Sequence, residues 1–366
     1  LLDTVGGGSY NIVDAVGSVV GGGTANVMSS NGGSTVSNSV ISGGRVNNIT
    51  ASSYAVIAGG QSNTVTSAVF ASISGGYLNI AGGASSVVSG GRGNSALGYR
   101  SAVGGGYSNL ATGAYGGVAG GMWNSVESSF AFIGGGYRNK AVAESAVVSG
   151  GRENSALGYR SVVGGGWLNH ATEAFGVVAG GYQNTAAAEY AMVSGGRENY
   201  ALGSRSVISG GAYNLAAKAY GVVTGGVWNS AQEDYTFIGG GYQNTAGAEY
   251  AVVSGGRQNS ALGVRSVVGG GNYNLAARAY GVVTGGVWNS AQGGFAFIGG
   301  GRFNVADQQS VVVGGQFHMA DGHLSGIVAG NHNNATGAYT FIGGGWVNDA
   351  LGEYAVIVGG HHNTAQ

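Results

Sequence analysis

The sequence predicts an all-β chain, a parallel β-roll or β-solenoid of about 24 coils with a 15-residue repeat, and three observations predict it. Twenty-three asparagines fall into one register, and fourteen of them succeed one another every 15 residues: Asn109, Asn124, Asn139, Asn154, Asn169, Asn184, Asn199, Asn214, Asn229, Asn244, Asn259, Asn274, Asn289 and Asn304. Each follows a glycine pair and precedes a small residue, as in Gly150-Gly151-Arg152-Glu153-Asn154-Ser155-Ala156. The third observation is composition, with 79 glycines and no proline beside 43% hydrophobic residues. A repeat this short has no room to bury a face of its own, so it can only be one coil of a stack. Collagen is excluded by the missing proline and a glycine period that is not three, and the recurring Val, Ile, Tyr and Phe argue against disorder.

The repeat spans the chain as a single domain of residues 1–366, less regular over 1–108 and 305–366 and regular over 109–304. Upstream, Asn11, Asn26, Asn47, Asn63, Asn79 and Asn94 keep the register, and Ser29-Ser30-Asn31-Gly32-Gly33 reads as an inserted turn in the longest interval. Downstream, His318 takes the place of the asparagine, and Asn334, Asn348 and Asn363 continue the series. Stacked at the usual strand separation, 24 coils would make a rod roughly 115 Å long. Because the sequence opens on Leu1, it is expected to be a piece of a longer protein.

Within a coil, period-two alternation assigns inside and outside. The asparagine and the alanine two positions on (Ala96, Ala111, Ala141, Ala156, Ala171) share the inner face of a first strand. A second strand covers positions six to ten, such as Arg160-Ser161-Val162-Val163-Gly164, with the small seventh and the Val or Ile ninth residue pointing inward. The glycine pair supplies a positive-φ corner, and the asparagine caps it as a hydrogen-bonded ladder.

The eighth position must then face outward, yet it is apolar: Phe132, Val147, Val162, Val177, Met192, Val207, Val222, Phe237 and Val252. Such a stripe is an aggregation liability on a monomer and reads as an oligomer seam between parallel copies, with a homotrimer closing it well.

Here the pattern resembles the head repeats of YadA-like trimeric autotransporter adhesins. Ser161-Val162-Val163-Gly164-Gly165 and Asn154-Ser155-Ala156-Leu157-Gly158-Tyr159-Arg160-Ser161 carry the likeness. It is also similar to the Gly-Gly-x-x-Asn-x-Ala repeats of phage tail fibres. The resemblance implies a left-handed, trimeric β-roll displayed outside the cell or on a virion for attachment to a host surface glycan or protein receptor. The sequence carries no coiled-coil stalk, barrel anchor or chaperone domain of the kind that accompanies those repeats.

Other chemistries are weaker. A formal net charge of −1 gives no basic field for nucleic acid or for an anionic membrane, and no segment is suited to membrane insertion. No Gly-rich stretch carries a P-loop lysine, six scattered Asp do not make a calcium solenoid, and no spacing suggests a catalytic triad. No enzyme activity, cofactor or metal is therefore expected. Of the six histidines, His318, His323, His332, His361 and His362 lie late and read as surface polar residues, with a metal or anion site on a trimer axis as the sharper alternative.

Two aromatic columns remain. Six positions after the asparagine, Arg205 should lie between Tyr190 and Tyr220, and Arg265 between Tyr250 and Tyr280, as cation–π staples. One or two positions before it come Trp123, Trp167, Trp228, Trp288 and Trp346, candidate receptor or glycan contacts, with packing between chains as the alternative. A self-assembling filament of solenoids stacked end to end is the runner-up function. An ice-binding face ranks below it because threonine is irregular.

Overall fold

The computed structural model describes residues 3–30 and 35–366 and shows an all-β parallel solenoid of about 24 turns, with no helix among the described residues. Asn31, Gly32 and Gly33 of the expected inserted turn lie outside the described residues, while Ser29 ends the strand Val27–Ser29. The chain divides into two compact units, residues 1–183 and 184–366.

In the first unit the coil at Asn154 is typical. Its first strand, Ser155–Ala156, pairs in parallel with Lys140–Ala141 and His170–Ala171. Its second strand, Val162–Val163, pairs with Val147–Val148 and Val177–Val178. Isolated parallel bridges through Tyr137, Arg152 and Trp167 form a third ladder. The second unit repeats this plan: Ser230–Ala231 lies between Leu215–Ala216 and Thr245–Ala246, and Phe237–Ile238 between Val222–Val223 and Val252–Val253.

The interior is as thin as expected. Asn154, Ala156, Ser161 and Val163 are each fully buried, and the same four positions recur along both units. Side chains this small let the two sheets approach closely, and β-branched Val or Ile fills the remaining width.

The second strand is shorter than the five residues expected, and backbone conformation explains why. Arg160 has φ +52° and Glu153 φ +56°, so the chain turns in left-handed conformation at two non-glycine positions per coil. Equivalent corners hold Tyr115, Phe130, Tyr220 and Phe295, and Trp123, Trp228 and Trp288. Bulky residues in this region cost on the order of 1–2 kcal/mol each, and their outward side chains offset part of that cost by stacking from coil to coil.

In the pair Gly225-Gly226, only the second member is sterically required. Gly226 has φ +84°, and a Cβ there would lie 2.1 Å from the Gly241 carbonyl oxygen and 2.6 Å from the Asn229 amide nitrogen. A Cβ on Gly225 would meet open space.

One expectation on register needs correction. Asn333, not Asn334, continues the buried series after His318, restoring a 15-residue interval to both His318 and Asn348. Asn333 is fully buried, whereas Asn334 stands one residue further on in the strand Asn334–Ala335. Adjacent asparagines make the two registers indistinguishable by composition; only the distance back to Gly330 separates them.

Candidate functional surfaces

The asparagine ladder forms one inner edge. In the first unit, Asn154 Nδ2 donates to the Gly150 carbonyl at 2.9 Å, at the corner of its own coil, and to the Gly166 carbonyl at 2.9 Å, at the next corner. Its Oδ1 accepts the Asn169 backbone N–H at 2.9 Å. In the second unit Asn229 repeats the set with Gly225, Gly241 and the N–H of Asn244 at 2.9, 3.0 and 3.0 Å. A short amide with two donors and an acceptor at one end is the side chain that satisfies two carbonyls and one N–H in this geometry. Asn109, Asn124, Asn139, Asn199, Asn214, Asn244, Asn259, Asn274, Asn289 and Asn304 are placed the same way and buried. Asn184 is buried too and donates to the Gly196 carbonyl at 2.9 Å.

His318, expected with the other late histidines at the surface, is instead buried in the asparagine register and interrupts this chemistry. Its backbone N–H donates to Asn304 Oδ1 at 3.1 Å, and its Nδ1 accepts the Asn333 N–H at 3.2 Å. That bond assigns the ring proton to Nε2, which is buried with no hydrogen-bond partner. Burial pushes the His318 pKa below its ordinary value, as it does for half-buried His170.

The outer face of the second sheet carries the apolar column. Phe132, Met192 and Phe237 are exposed, and Val147, Val162, Val177, Val207, Val222 and Val252 are half-buried between their neighbours along the sheet. Each stands on a two-residue strand whose second residue is fully buried, so alternation alone directs it outward.

At one corner the column six positions after the asparagine is a continuous stack in the second unit. The Arg205 guanidinium lies 5.5 Å from the rings of both Tyr190 and Tyr220, and Arg265 lies 5.4 and 5.7 Å from Tyr250 and Tyr280. Tyr220, Tyr235 and Tyr250 stack at 4.8 and 4.9 Å. Arg205 and Arg265 also donate to the hydroxyls of Tyr220 and Tyr280, at 2.6 and 2.7 Å. The Tyr235 pKa is raised, with desolvation first and neighbouring Tyr220, Tyr250, Asp234 and Glu249 adding to it.

The tryptophan column splits in two. Trp123, Trp228 and Trp288 sit on the left-handed corner residue, whereas Trp167 and Trp346 belong to the third ladder one residue earlier. All five are 41–52% exposed, yet their rings meet neighbours in the same chain. Tyr213 stacks on Trp228 at 4.3 Å, Tyr273 on Trp288 at 4.2 Å, and Trp346 on His361 at 4.3 Å. Trp123 meets Tyr107 edge to face at 5.5 Å, and the Arg152 guanidinium lies 5.1 Å from the Trp167 ring. A five-ring run, Tyr273, Trp288, Phe303, Phe317 and His332, continues along the corner. Packing within the chain therefore engages all five rings, which remain about half exposed.

The late histidines join these columns: His323 meets Tyr339 edge to face at 5.6 Å, and His361 and His362 contact each other and Trp346. Among the described residues no three His, Asp, Glu or Cys side chains cluster to hold a metal ion, and no helix is long and apolar enough to cross a membrane. The ion pairs Arg152–Glu153 and Arg197–Glu198, at 3.2 and 3.0 Å, lie on exposed arginines and contribute little. No family model matches the chain, and no curated protein matches it.

Proposed function

We propose that this chain is a segment of a non-enzymatic extracellular fibre: a parallel homotrimeric, left-handed β-roll that spans distance and mediates attachment to a host cell or surface. The likeness to adhesin heads and tail fibres supports this reading. The observation that carries it is the outward apolar column on the second sheet. Its side chains repeat in register along the sheet, so a parallel copy can meet the column rung for rung. Covering a half-buried valine is worth on the order of 1 kcal/mol, and the repeat multiplies that figure. The side chain that recurs in nearly every coil, asparagine, is engaged in hydrogen bonds within the wall, which favours a structural over a catalytic use of the repeat.

Electron microscopy of the purified chain tests the reading against a self-assembling filament. Discrete rods of one length are expected, and rods of indefinite length would establish the filament instead. Particles coated with the chain should adhere to a susceptible surface, and adherence no better than that of uncoated particles would contradict the attachment role.

A further inference from the structure

Two stretches 60 residues apart, Arg197–Gly241 and Arg257–Gly301, are near copies, and they serve as each other's control. Both hold a flat stacked pair at the corner, Tyr213–Trp228 with rings 6° from parallel and Tyr273–Trp288 with rings 3° from parallel. In the earlier copy Tyr200, 40% exposed, stands on the outer face of the first sheet beside this pair. In the later copy that position is Ser260, and a cleft of about 300 Å³ opens there, lined by Gln258, Ser260, Tyr273, Leu275, Trp288 and Ser290. Gln258 and Ser290 border this cleft, with Gln258 Oε1 and Ser290 Oγ themselves buried beneath its surface without a hydrogen-bond partner. The hydroxyl of the earlier counterpart, Ser230, accepts from Gln232 Nε2 at 3.2 Å.

A second change lies just across the same sheet. Glu233-Asp234 of the earlier copy becomes Gly293-Gly294, and a cleft of about 690 Å³ appears beside Arg278, Gln292, Asp307 and Gln308. Leu275 borders both clefts, so they lie on either side of one outward side chain. From the coil of Asn259 to that of Asn304 the two cover four rungs, roughly 14 Å at the usual strand spacing.

We propose that these clefts form one groove that binds a neutral oligosaccharide. The proposal rests on the attachment reading and gives it a site. The lining is the chemistry of sugar recognition: uncharged amides and hydroxyls, one cation balanced by one anion, and an apolar wall of Leu275 with the edges of Tyr273 and Trp288. An extended peptide is disfavoured because the strand at the floor, Leu275–Ala276, is paired on both sides and offers no free edge for strand addition.

The test is a printed array of neutral glycans probed with the intact chain and with S260Y/G293E, which places the side chains of the earlier stretch in both clefts. Circular dichroism should be alike for both, since each new side chain already occurs at the equivalent position. At least one array glycan should be retained by the native chain and lost at least tenfold by the variant. Retention of no neutral glycan, or retention unaffected by S260Y/G293E, overturns the proposal. Unchanged surface adherence of the variant would show attachment through another region, whereas a native chain that adheres to nothing would remove the attachment reading itself.

Discussion

The coil at Asn229 and the coil at His318 occupy equivalent places in the solenoid and meet the same problem in different ways. At Asn229, one amide ties two glycine corners and holds the N–H of Asn244. At His318, an imidazole accepts the N–H of Asn333 but leaves Nε2 buried without a partner, and the interval from Asn304 shrinks to 14 residues. The outer surface follows the difference, because two consecutive residues of the shortened coil, Gln308 and Gln309, take positive φ. The contrast teaches that backbone pairing alone carries the solenoid through an imperfect rung, while the asparagine determines how well the corner closes.

Several substitutions sharpen or break this contrast. Global unfolding of a repeat protein is not a single transition, so local protection in native-state hydrogen exchange is the measurement of choice. The largest effect is expected from Gly226→Ala, which sets a positive-φ penalty and a backbone clash against the same corner. Protection of the surrounding amides should fall by roughly 3–5 kcal/mol, with Gly225→Ala nearly silent. If both glycines behaved alike, the steric division of the pair would be wrong. Asn229→Ala strands the Gly225 carbonyl and the Asn244 N–H, leaves the Gly241 carbonyl with the Val227 N–H alone, and should cost roughly 2–4 kcal/mol over the adjoining coils.

His318→Asn is the reciprocal experiment. Restoring the missing donors should raise protection around residues 315–333 by about 1–3 kcal/mol. The same variant should abolish a pH dependence. Because burial lowers the folded-state pKa of His318, the unfolded chain binds the proton first. Stability from this rung is full above the ordinary histidine pKa of about 6.5 and falls as pH drops below it towards the folded value. Loss of protection there on acidification, absent in His318→Asn, is the expected result; a pH-independent profile would contradict the neutral buried ring. The smallest effect is Ser206→Ala, which removes a buried hydroxyl without a partner and should stabilise by up to about 1 kcal/mol.

Much of the fold is legible in the sequence, because a period of 15 with alternating small and β-branched residues permits few arrangements. The inward Ala156, Ser161 and Val163, the outward Val162 and the cation–π positions of Arg205 and Arg265 all follow from counting. The left-handed corners at Glu153 and Arg160 do not, since nothing about Glu, Arg, Trp or Tyr announces positive φ. A signal does exist in hindsight: these positions hold large residues in coil after coil where a small turn residue would be easiest, which points to stacking. The groove at Ser260 and Gly293-Gly294 was hidden for another reason. It is defined by what is missing relative to Tyr200 and Glu233-Asp234, and only the placement of those side chains on one face joins the two absences.

The central claim is that the outward apolar column is a seam between copies of this chain, and the molar mass in solution by light scattering tests it most directly. The account predicts about 108 kDa, three times the 35.9 kDa chain, falling to the single-chain value when Val162 and Val222 are both changed to lysine. A soluble native monomer of 35.9 kDa would contradict it, because the column would then lie open to water along both units.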